Sequence, residues 1–213
     1  MLLASEPLWY AATNTYILAR EAGGPAVVVD APPDVEGIVD LASRHNVIPA
    51  ALLVTHGHVD HCGASGGVAE RYGIAAYIHP DDEFLSSNPR MQAERLMGVL
   101  PPGDYAPATY VDLVGGQTLE LAGWSLEVRH TPGHTPGHCC FFLGEQGILF
   151  SGDQLFAGSI GRTDLPGGSY TQLMESMKDQ VLTLDDEVIV HPGHGPATTL
   201  ARERRSNPFL QEL

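Results

Sequence analysis

Three histidines and one aspartate fall within six positions of the sequence, directly after a short apolar run. They are His56, His58, Asp60 and His61. Imidazole nitrogens and carboxylate oxygens are the ligands that suit Zn²⁺ and its first-row neighbours. Residues 50–54 predict a buried strand and residues 64–72 a helix, while Gly57 and Gly63 allow tight turns between them. Because a strand–loop–helix connection directs several side chains to one point, the pattern favours a metal site over a polar surface turn.

Three further ligand candidates lie later in the chain, each in a loop that contains glycine. They are His134 in Thr-Pro-Gly-His-Thr-Pro-Gly, Asp153 in Ser-Gly-Asp and His194 in His-Pro-Gly-His-Gly. Each follows a predicted strand, as His56 does, so strand ends at one edge of a β core would bring them together. His130 and His138 flank His134 at four-residue spacing, and spacing alone therefore leaves three candidates in that stretch.

Apolar runs separated by glycine and proline predict the elements that position these residues. Residues 15–20 and 26–30 predict a hairpin, residues 34–45 a helix and residues 75–79 a strand. Further strands are predicted for residues 110–114, 118–121, 124–130, 138–143, 147–151 and 187–190, and helices for residues 169–181 and 198–205. Residues 86–108 predict a long, partly ordered excursion over the site, because prolines interrupt any helix there.

Length, composition and charge limit the classes of fold and function. A chain of 213 residues with 43% apolar and 17% charged residues is typical of one globular domain, here residues 1–213. Two stacked sheets with flanking helices are the expected architecture. A formal net charge of −15 would repel phosphate backbones, which argues against a nucleic-acid partner. The sequence carries no indication of oligomeric state.

The cysteines and the first residues bear on location. Cys62, Cys139 and Cys140 are an odd number without the spacing of a disulfide framework, which predicts reduced thiols in the cytoplasm. The first residues lack a basic start and a long apolar core, so no signal peptide is expected. No run approaches the ~20 apolar residues of a membrane span, so no membrane partner is expected either.

The combined motifs resemble the metallo-β-lactamase superfamily. The resemblance rests on His-x-His-x-Asp-His, a lone histidine, an aspartate after a hairpin and a late Gly-His, and it extends from Asn14 to Phe209. Ser-Gly-Asp at Asp153, the Gly-Arg-Thr-Asp-Leu-Pro-Gly-Gly stretch over residues 161–168 and the closing His-Pro-Gly-His-Gly-Pro are most similar to single-domain hydroxyacylglutathione hydrolase (glyoxalase II)-like proteins. This resemblance implies an α+β fold, a four-layer αββα sandwich, with a two-metal site on one edge.

The resemblance also implies which side chains would bind each of the two metals. The first metal would be held by His56, His58 and His134, the second by Asp60, His61 and His194, and Asp153 would bridge the two. Zinc is the expected metal at both positions, and iron or manganese also suits mixed nitrogen and oxygen ligands.

Two dications held by two carboxylates leave a net charge of +2, which would lower the pKa of a bridging water. The resulting hydroxide would attack a substrate carbonyl, and Asp60 is expected to orient this nucleophile and take up its proton. A thiolate, with a reference pKa of ~8.5, leaves with little help from an acid. The chain is therefore expected to cleave a small-molecule thioester such as S-D-lactoylglutathione.

Outside the metal ligands, Arg162 is the strongest candidate for substrate binding. It would bind a substrate carboxylate, or alternatively form an ion pair with Asp164. Tyr170 is a weaker candidate for substrate binding, as are Arg202, Arg204 and Arg205 of the predicted terminal helix. His138 is expected to support the metal ligands, His191 to support the His194 loop, and the three cysteines to pack in the interior.

Several related activities compete with this prediction. β-Lactamases of the commonest type have cysteine where a bridging aspartate is needed and no histidine at the position of His61. Persulfide dioxygenases share the Gly-Arg-Thr-Asp stretch but use one iron, which would be held here by His56, His134 and Asp153. Lactonases share all seven ligands, and a non-enzymatic metal-binding protein is a further class. Full glyoxalase II enzymes add a helical C-terminal domain that grips glutathione, and its absence before Leu213 extends the expectation to other thiol carriers.

Overall fold

Along the central strands, apolar side chains point alternately to the two faces of the sheet, so each sheet is apolar on both faces. The computed structural model describes residues 1–212, which form two six-stranded sheets packed face to face with helices on both outer faces. Val27 and Val29 point to the interface between the sheets, whereas Val28 points outward to the helices. This pattern confirms the four-layer αββα sandwich.

The first sheet has the strand order β1-β2-β3-β4-β5-β6. Its strands are β1 (Leu2–Leu8), β2 (Thr13–Ala19), β3 (Pro25–Val29), β4 (Ile48–Leu53), β5 (Ala76–Ile78) and β6 (Tyr110–Asp112). Strands β1 to β3 pair antiparallel, and β3 to β6 pair parallel. The parallel strands are connected by α1 (Val35–Arg44), α2 (Val59–Cys62), α3 (Ser65–Tyr72), α4 (Glu83–Ser86) and α5 (Pro89–Met97). The carboxyl ends of β3, β4 and β5 therefore share one edge of the sheet.

The second sheet has the order β14-β13-β10-β9-β8-β7. Its strands are β7 (Thr118–Leu121), β8 (Trp124–His130), β9 (Cys139–Leu143), β10 (Ile148–Gly152), β13 (Ile189–Pro192) and β14 (Thr198–Thr199), and a separate pair is formed by β11 (Leu155–Phe156) and β12 (Ser159–Ile160). Helices α6 (Tyr170–Ser176) and α7 (Leu200–Ser206) accompany this half. The parallel pairing of β10 with β13 brings the ends of these two strands, and the loops that follow them, together.

Three buried clusters hold the layers together. One packs α1 and α3 on the first sheet, one fills the space between the sheets, and one packs α6 and α7 on the second sheet. Cys139 lies in the cluster between the sheets and Cys140 in the outer cluster, as expected for neighbours on one strand. Cys62 is also buried, and all three thiols are free.

The predicted helix over residues 34–45 is confirmed, and its ends have a local cause. Asp34 accepts a hydrogen bond from the Gly37 N–H at 2.9 Å and so caps the first turn, while His45 forms the C-terminal cap. The helix predicted for residues 198–205 begins only at Leu200, because Thr198 and Thr199 pair with β13 instead. Strands β1, β11 and β12 were not anticipated.

The excursion over residues 86–108 contains α5, which lies against the histidine loop. The Gln92 side chain accepts a hydrogen bond from the Val59 N–H at 2.7 Å and donates one to the Gly57 carbonyl at 3.0 Å. Leu96 and Met97 reach the cleft beside the histidines. The excursion therefore covers the site, as its position in the sequence predicted.

None of the helices within residues 1–212 is long and apolar enough to cross a membrane. The cytoplasmic location inferred from the cysteines stays a prediction.

Candidate metal centre

Asp30, at the end of β3, orients the loop that follows β4. Its carboxylate accepts hydrogen bonds from the Thr55 N–H at 2.7 Å and from the Thr55 hydroxyl at 2.9 Å. The His61 Nδ1–H also donates to Asp30, at 2.8 Å. A donated Nδ1–H leaves the Nε2 lone pair of His61 free for a metal.

Asp82, which follows β5, joins the two histidine loops. Its buried carboxylate, 0% exposed, accepts hydrogen bonds from the Gly57 N–H and the Thr135 hydroxyl, both at 2.7 Å, and from the Gly137 N–H at 2.6 Å. Gly57 lies between His56 and His58, and Thr135 and Gly137 lie in the loop that carries His134. One carboxylate therefore sets the distance between the loops that supply the first group of histidines.

His56, His58 and His134 direct three ring nitrogens to one point. The distances are 3.0 Å from His56 Nε2 to His58 Nδ1, 2.9 Å from His58 Nδ1 to His134 Nε2, and 3.1 Å from His134 Nε2 to His56 Nε2. Ligands about 2.0–2.1 Å from a tetrahedral zinc would lie roughly 3.3 Å apart, close to these values. The triangle has the size of a metal coordination face.

The tautomers of these histidines favour a cation at that point. The His56 Nδ1–H donates to the Thr55 hydroxyl at 3.0 Å, and the His134 Nδ1–H donates to the Arg162 carbonyl at 2.7 Å. Both Nε2 atoms are then bare, and their lone pairs would repel each other at 3.1 Å without a cation between them. Burial lowers the pKa of His58 to about 3 and that of His134 to about 4, so both rings are neutral near pH 7. The residues present fit a metal ion.

Asp60, His61 and His194 form a second group. Asp60 Oδ2 lies 3.3 Å from His194 Nε2 and 3.6 Å from His61 Nε2, and the two Nε2 atoms are 3.3 Å apart. Asp153 lies between the groups, since its Oδ2 is 3.6 Å from His134 Nε2 and 3.7 Å from His194 Nε2. The side chains predicted for both metals thus meet at one edge of the sandwich, with Asp153 in the shared position.

The negative charge of the carboxylates around His61 also favours binding of a cation. Burial acts to lower the pKa of His61, but Asp153, Asp30 and Asp60 outweigh it and raise this pKa to about 10. The carboxylates thus hold a proton on the ring when no metal is bound. A metal ion would take the place of that proton.

The metallo-β-lactamase superfamily domain matches residues 10–194 of this chain. The chain belongs to the metallo-β-lactamase superfamily. A Haemophilus influenzae relative named hydroxyacylglutathione hydrolase GloC is 37% identical over 186 residues, which cover 87% of each protein. The solved structure of BLEG-1, described as a B3 metallo-β-lactamase, has a TM-score of 0.89 and 37% identity, and the match covers 98% of this chain and 99% of that one. TTHA1623, solved in a di-iron-bound form, has a TM-score of 0.83 and 38% identity over 99% and 100% of the two chains.

Membership of this metallohydrolase superfamily confirms the predicted family and agrees with the clustering of the seven predicted ligands. The GloC relative supports the glyoxalase II-like resemblance, and the di-iron structure supports a site for two metals. The similarity to a B3 metallo-β-lactamase limits one sequence argument. His61 was predicted to set the chain apart from the commonest β-lactamases, but a structure described as a B3 metallo-β-lactamase is 37% identical, so this residue alone does not exclude β-lactam hydrolysis.

The structure distinguishes His134 from the two neighbouring histidines. His138 accepts a hydrogen bond from the Asp153 N–H at 3.0 Å and contacts the Thr131 hydroxyl through Nδ1 at 2.8 Å, so it supports Asp153 rather than joining the cluster. His130 Nε2 donates to the Pro136 carbonyl at 2.9 Å. Its ring stacks on His79 with 4.0 Å between centroids and 7° between planes, and it groups with His79 and Asp81 rather than with His56 and His58.

A cleft of about 520 Å³ lies over the two groups. The metal-side wall contains His58, Asp60, His134, Asp153 and His194, and the remaining wall is mostly apolar, with Trp9, Leu96, Met97, Phe156, Ile160 and Leu165. Such a combination of apolar walls with a few convergent polar groups is typical of a small-molecule site.

Arg162 is the cation on the lining of this cleft. Its guanidinium forms a bidentate ion pair with Asp164, at 2.7 and 2.8 Å, and its side chain is 60% exposed. Both interpretations of Arg162 thus have a structural basis, and its backbone carbonyl has the further role of orienting His134. Tyr170 begins α6 and is not among the residues that line the cleft. Its role in substrate binding stays a prediction.

Arg204 and His191 lie in positions that support neighbouring elements, and binding of substrate by Arg202 and Arg205 stays a prediction. Arg204 of α7 pairs with Asp186 and donates to the carbonyls of Leu182 and Leu184, which ties α7 to the preceding loop. His191 lies on β13, the strand before the His194 loop, and its ring packs against the rings of Tyr16 and Phe150.

Sequence reasoning missed Asp30, Asp82 and Gln92. The two aspartates follow β3 and β5, the parallel neighbours of β4, at the sheet edge where the histidine loop emerges. Polar residues near the ends of predicted strands were the signal for His56 and Asp153, and Asp30 closes the predicted strand 26–30 while Asp82 lies three residues after the predicted strand 75–79. Gln92 lies on a helix of the excursion and had no such signal.

Proposed function

We propose that the chain is a dinuclear metallohydrolase that cleaves a thioester such as S-D-lactoylglutathione, or a related thiol conjugate, to a carboxylic acid and a free thiol. The observation that carries this proposal is the convergence of two three-residue ligand groups on Asp153 beside an open cleft. The GloC relative supports the substrate class. The match covers 87% of the GloC relative, which leaves no room in that relative for a large additional domain such as the C-terminal domain of full glyoxalase II enzymes.

Two bound divalent ions would supply a water of lowered pKa and an electrophile for the substrate carbonyl. Asp60 lines the cleft, where it can accept the proton of the attacking water. Burial opposes ionisation of Asp60, but His61 and His194 outweigh it and hold the pKa of this carboxyl well below its usual range. As the water oxygen bonds to the carbonyl carbon, the carbon–sulfur bond breaks and the thiolate leaves.

The decisive experiment combines metal analysis with turnover of S-D-lactoylglutathione. We expect about two metal ions per chain, loss of thioester cleavage after chelation, and recovery when Zn²⁺, Fe²⁺ or Mn²⁺ is returned. Zinc is the metal that we propose, and the di-iron form of TTHA1623 makes iron the alternative. About one iron per chain, no thioester cleavage and oxygen uptake with a thiol persulfide would instead identify a persulfide dioxygenase.

β-Lactam hydrolysis is the second candidate, because BLEG-1 superposes on 98% of this chain. A chromogenic cephalosporin and a simple lactone belong in the same assay panel. We expect a higher kcat/KM for the thioester than for either ring. A higher value for the cephalosporin would assign the chain to the β-lactamases.

Replacing Arg162 by alanine is expected to weaken the binding of an acidic thiol carrier. We expect KM for the glutathione thioester to rise about two- to fivefold with little change in kcat, since exposed ion pairs contribute only about 0.5–1 kcal/mol. The control is a thioester of N-acetylcysteamine, a neutral carrier whose KM should not respond. Equal changes for both carriers would contradict recognition of a carboxylate by Arg162.

A further inference from the structure

A side cavity of about 180 Å³ adjoins the metal cleft, and the proposed function gives it no occupant. Its walls are mostly apolar: Phe84, Leu85, Met91, Leu96, Leu165 and Pro166. These residues come from α4, α5 and the loop after β12, so the excursion over residues 86–108 forms one side of the cavity.

The side cavity borders the cleft over the reaction centre. His58, Leu96 and Leu165 line both the side cavity and the cleft. His58 is also the residue whose Nδ1 lies 3.0 Å from His56 Nε2 and 2.9 Å from His134 Nε2. The side cavity therefore lies within reach of a group that extends from the first metal position past His58.

The lining of the side cavity suits an apolar group better than a polar one. The Gln92 side chain already forms hydrogen bonds with Val59 and Gly57, and Asn88 Oδ1 caps α5 by accepting from the Met91 N–H. Arg95, the cation of this lining, is exposed to solvent. Phe84, Met91 and Leu96 also keep 54%, 40% and 47% of their surfaces exposed, and clustered exposed apolar side chains mark binding surfaces.

We propose that the side cavity binds the apolar acyl chain of the substrate, and that the polar thiol carrier lies in the larger cleft near Arg162. The inference rests on the proposed thioester hydrolysis and makes its substrate class more specific. The assignment follows from size and polarity. The cleft of about 520 Å³ has ionisable groups for a carrier, whereas the side cavity of about 180 Å³ is smaller and mostly apolar, which suits a narrow hydrocarbon chain.

The test is a series of N-acetylcysteamine thioesters with acetyl, butanoyl, hexanoyl and octanoyl groups. Transfer of each methylene from water into the cavity should raise kcat/KM about two- to fourfold. We therefore expect hexanoyl to exceed acetyl by about tenfold or more, with a plateau once the cavity is full.

Met91→Trp would fill the side cavity from a partly exposed position on α5. We expect the ratio of hexanoyl to acetyl kcat/KM to fall to about one in this variant. The matched control is Val99→Trp, which places the same side chain on the same excursion at a position that is 70% exposed and lines neither cavity. This control should keep the parental ratio.

The outcomes separate the inference from the proposed function. Cleavage of all thioesters at similar rates, or an unchanged ratio in Met91→Trp, would overturn the side-cavity inference and leave thioester hydrolysis intact. Failure to cleave any thioester would overturn the proposed function. Calorimetry with hexanoate against acetate would then test the cavity directly, and equal affinity of the two acids would overturn the inference.

Discussion

Asp60→Ala is expected to keep the fold and to lower kcat for thioester hydrolysis by about 10²–10⁴-fold, the usual contribution of a general base. Asp60 Oδ2 lies 3.3 Å from His194 Nε2 and receives a hydrogen bond from the Thr13 hydroxyl at 3.3 Å. The carboxylate is therefore held at the floor of the cleft, where a proton from the attacking water would be taken up. Its removal also deletes one ligand of the second metal position.

Three measurements define the Asp60 result. Turnover gives kcat, metal analysis shows whether the second position is still filled, and thermal unfolding shows whether the fold is retained. Asp112→Asn is the control, because Asp112 is an exposed acid at the end of β6 and should leave all three unchanged. Near-normal turnover by a metal-loaded Asp60→Ala protein would contradict the role assigned to this carboxylate.

Asp82→Ala is expected to lower the free energy of unfolding by about 3 kcal/mol or more. The variant leaves the Gly57 and Gly137 N–H groups and the Thr135 hydroxyl buried without their acceptor, and each such loss costs about 1–3 kcal/mol. It also releases the two loops that supply the first histidine group. We expect weaker retention of the metal at that position and a fall of tenfold or more in turnover.

Asp82→Asn tests the same tie with a smaller disturbance. One amide oxygen can still accept from Gly57 and Thr135, but the amide NH₂ would face the Gly137 N–H, which is 2.6 Å from the present carboxylate oxygen. We expect intermediate losses of stability and metal retention. The neighbouring Asp81→Asn is the matched control, because Asp81 has a side chain that is 59% exposed. Equal behaviour of Asp82→Asn and Asp81→Asn in denaturation and metal analysis would show that the Asp82 hydrogen bonds do not hold the two loops together.

The close approach of backbone to Asp82 explains two glycines of the ligand loops. A Cβ at Gly137 would lie 2.7 Å from Asp82 Cγ, and a Cβ at Gly57 would lie 2.8 Å from Leu85 Cβ. Neither contact leaves room for a larger residue. The sequence suggested that Gly57 allows a tight turn, whereas the structure shows that both glycines also let the loops approach the carboxylate that joins them.

Local properties of the sequence determined much of the fold and of the candidate site. Helix α1 was predicted almost to the residue, because its apolar spacing and its capping Asp34 are contained within one segment. Residue type and position near a strand end marked the candidate ligands along the chain, and the family resemblance assigned seven of them to two metal positions. The αββα architecture followed from the resemblance that these motifs carry.

Only the tertiary structure decided how distant segments meet. It brings His134, the histidine that the family resemblance had selected, to 3.1 Å between its Nε2 and His56 Nε2 across 78 positions of sequence. It also revealed Asp30 and Asp82 as anchors of the ligand loops, and the side cavity beside His58. These features depend on which strands are neighbours and on how the sheets pack, and no local pattern of residues encodes such distances. The ligand motifs therefore determine which side chains are available to bind metal, whereas the packing of the sheets determines the distances between them and the space left for a substrate.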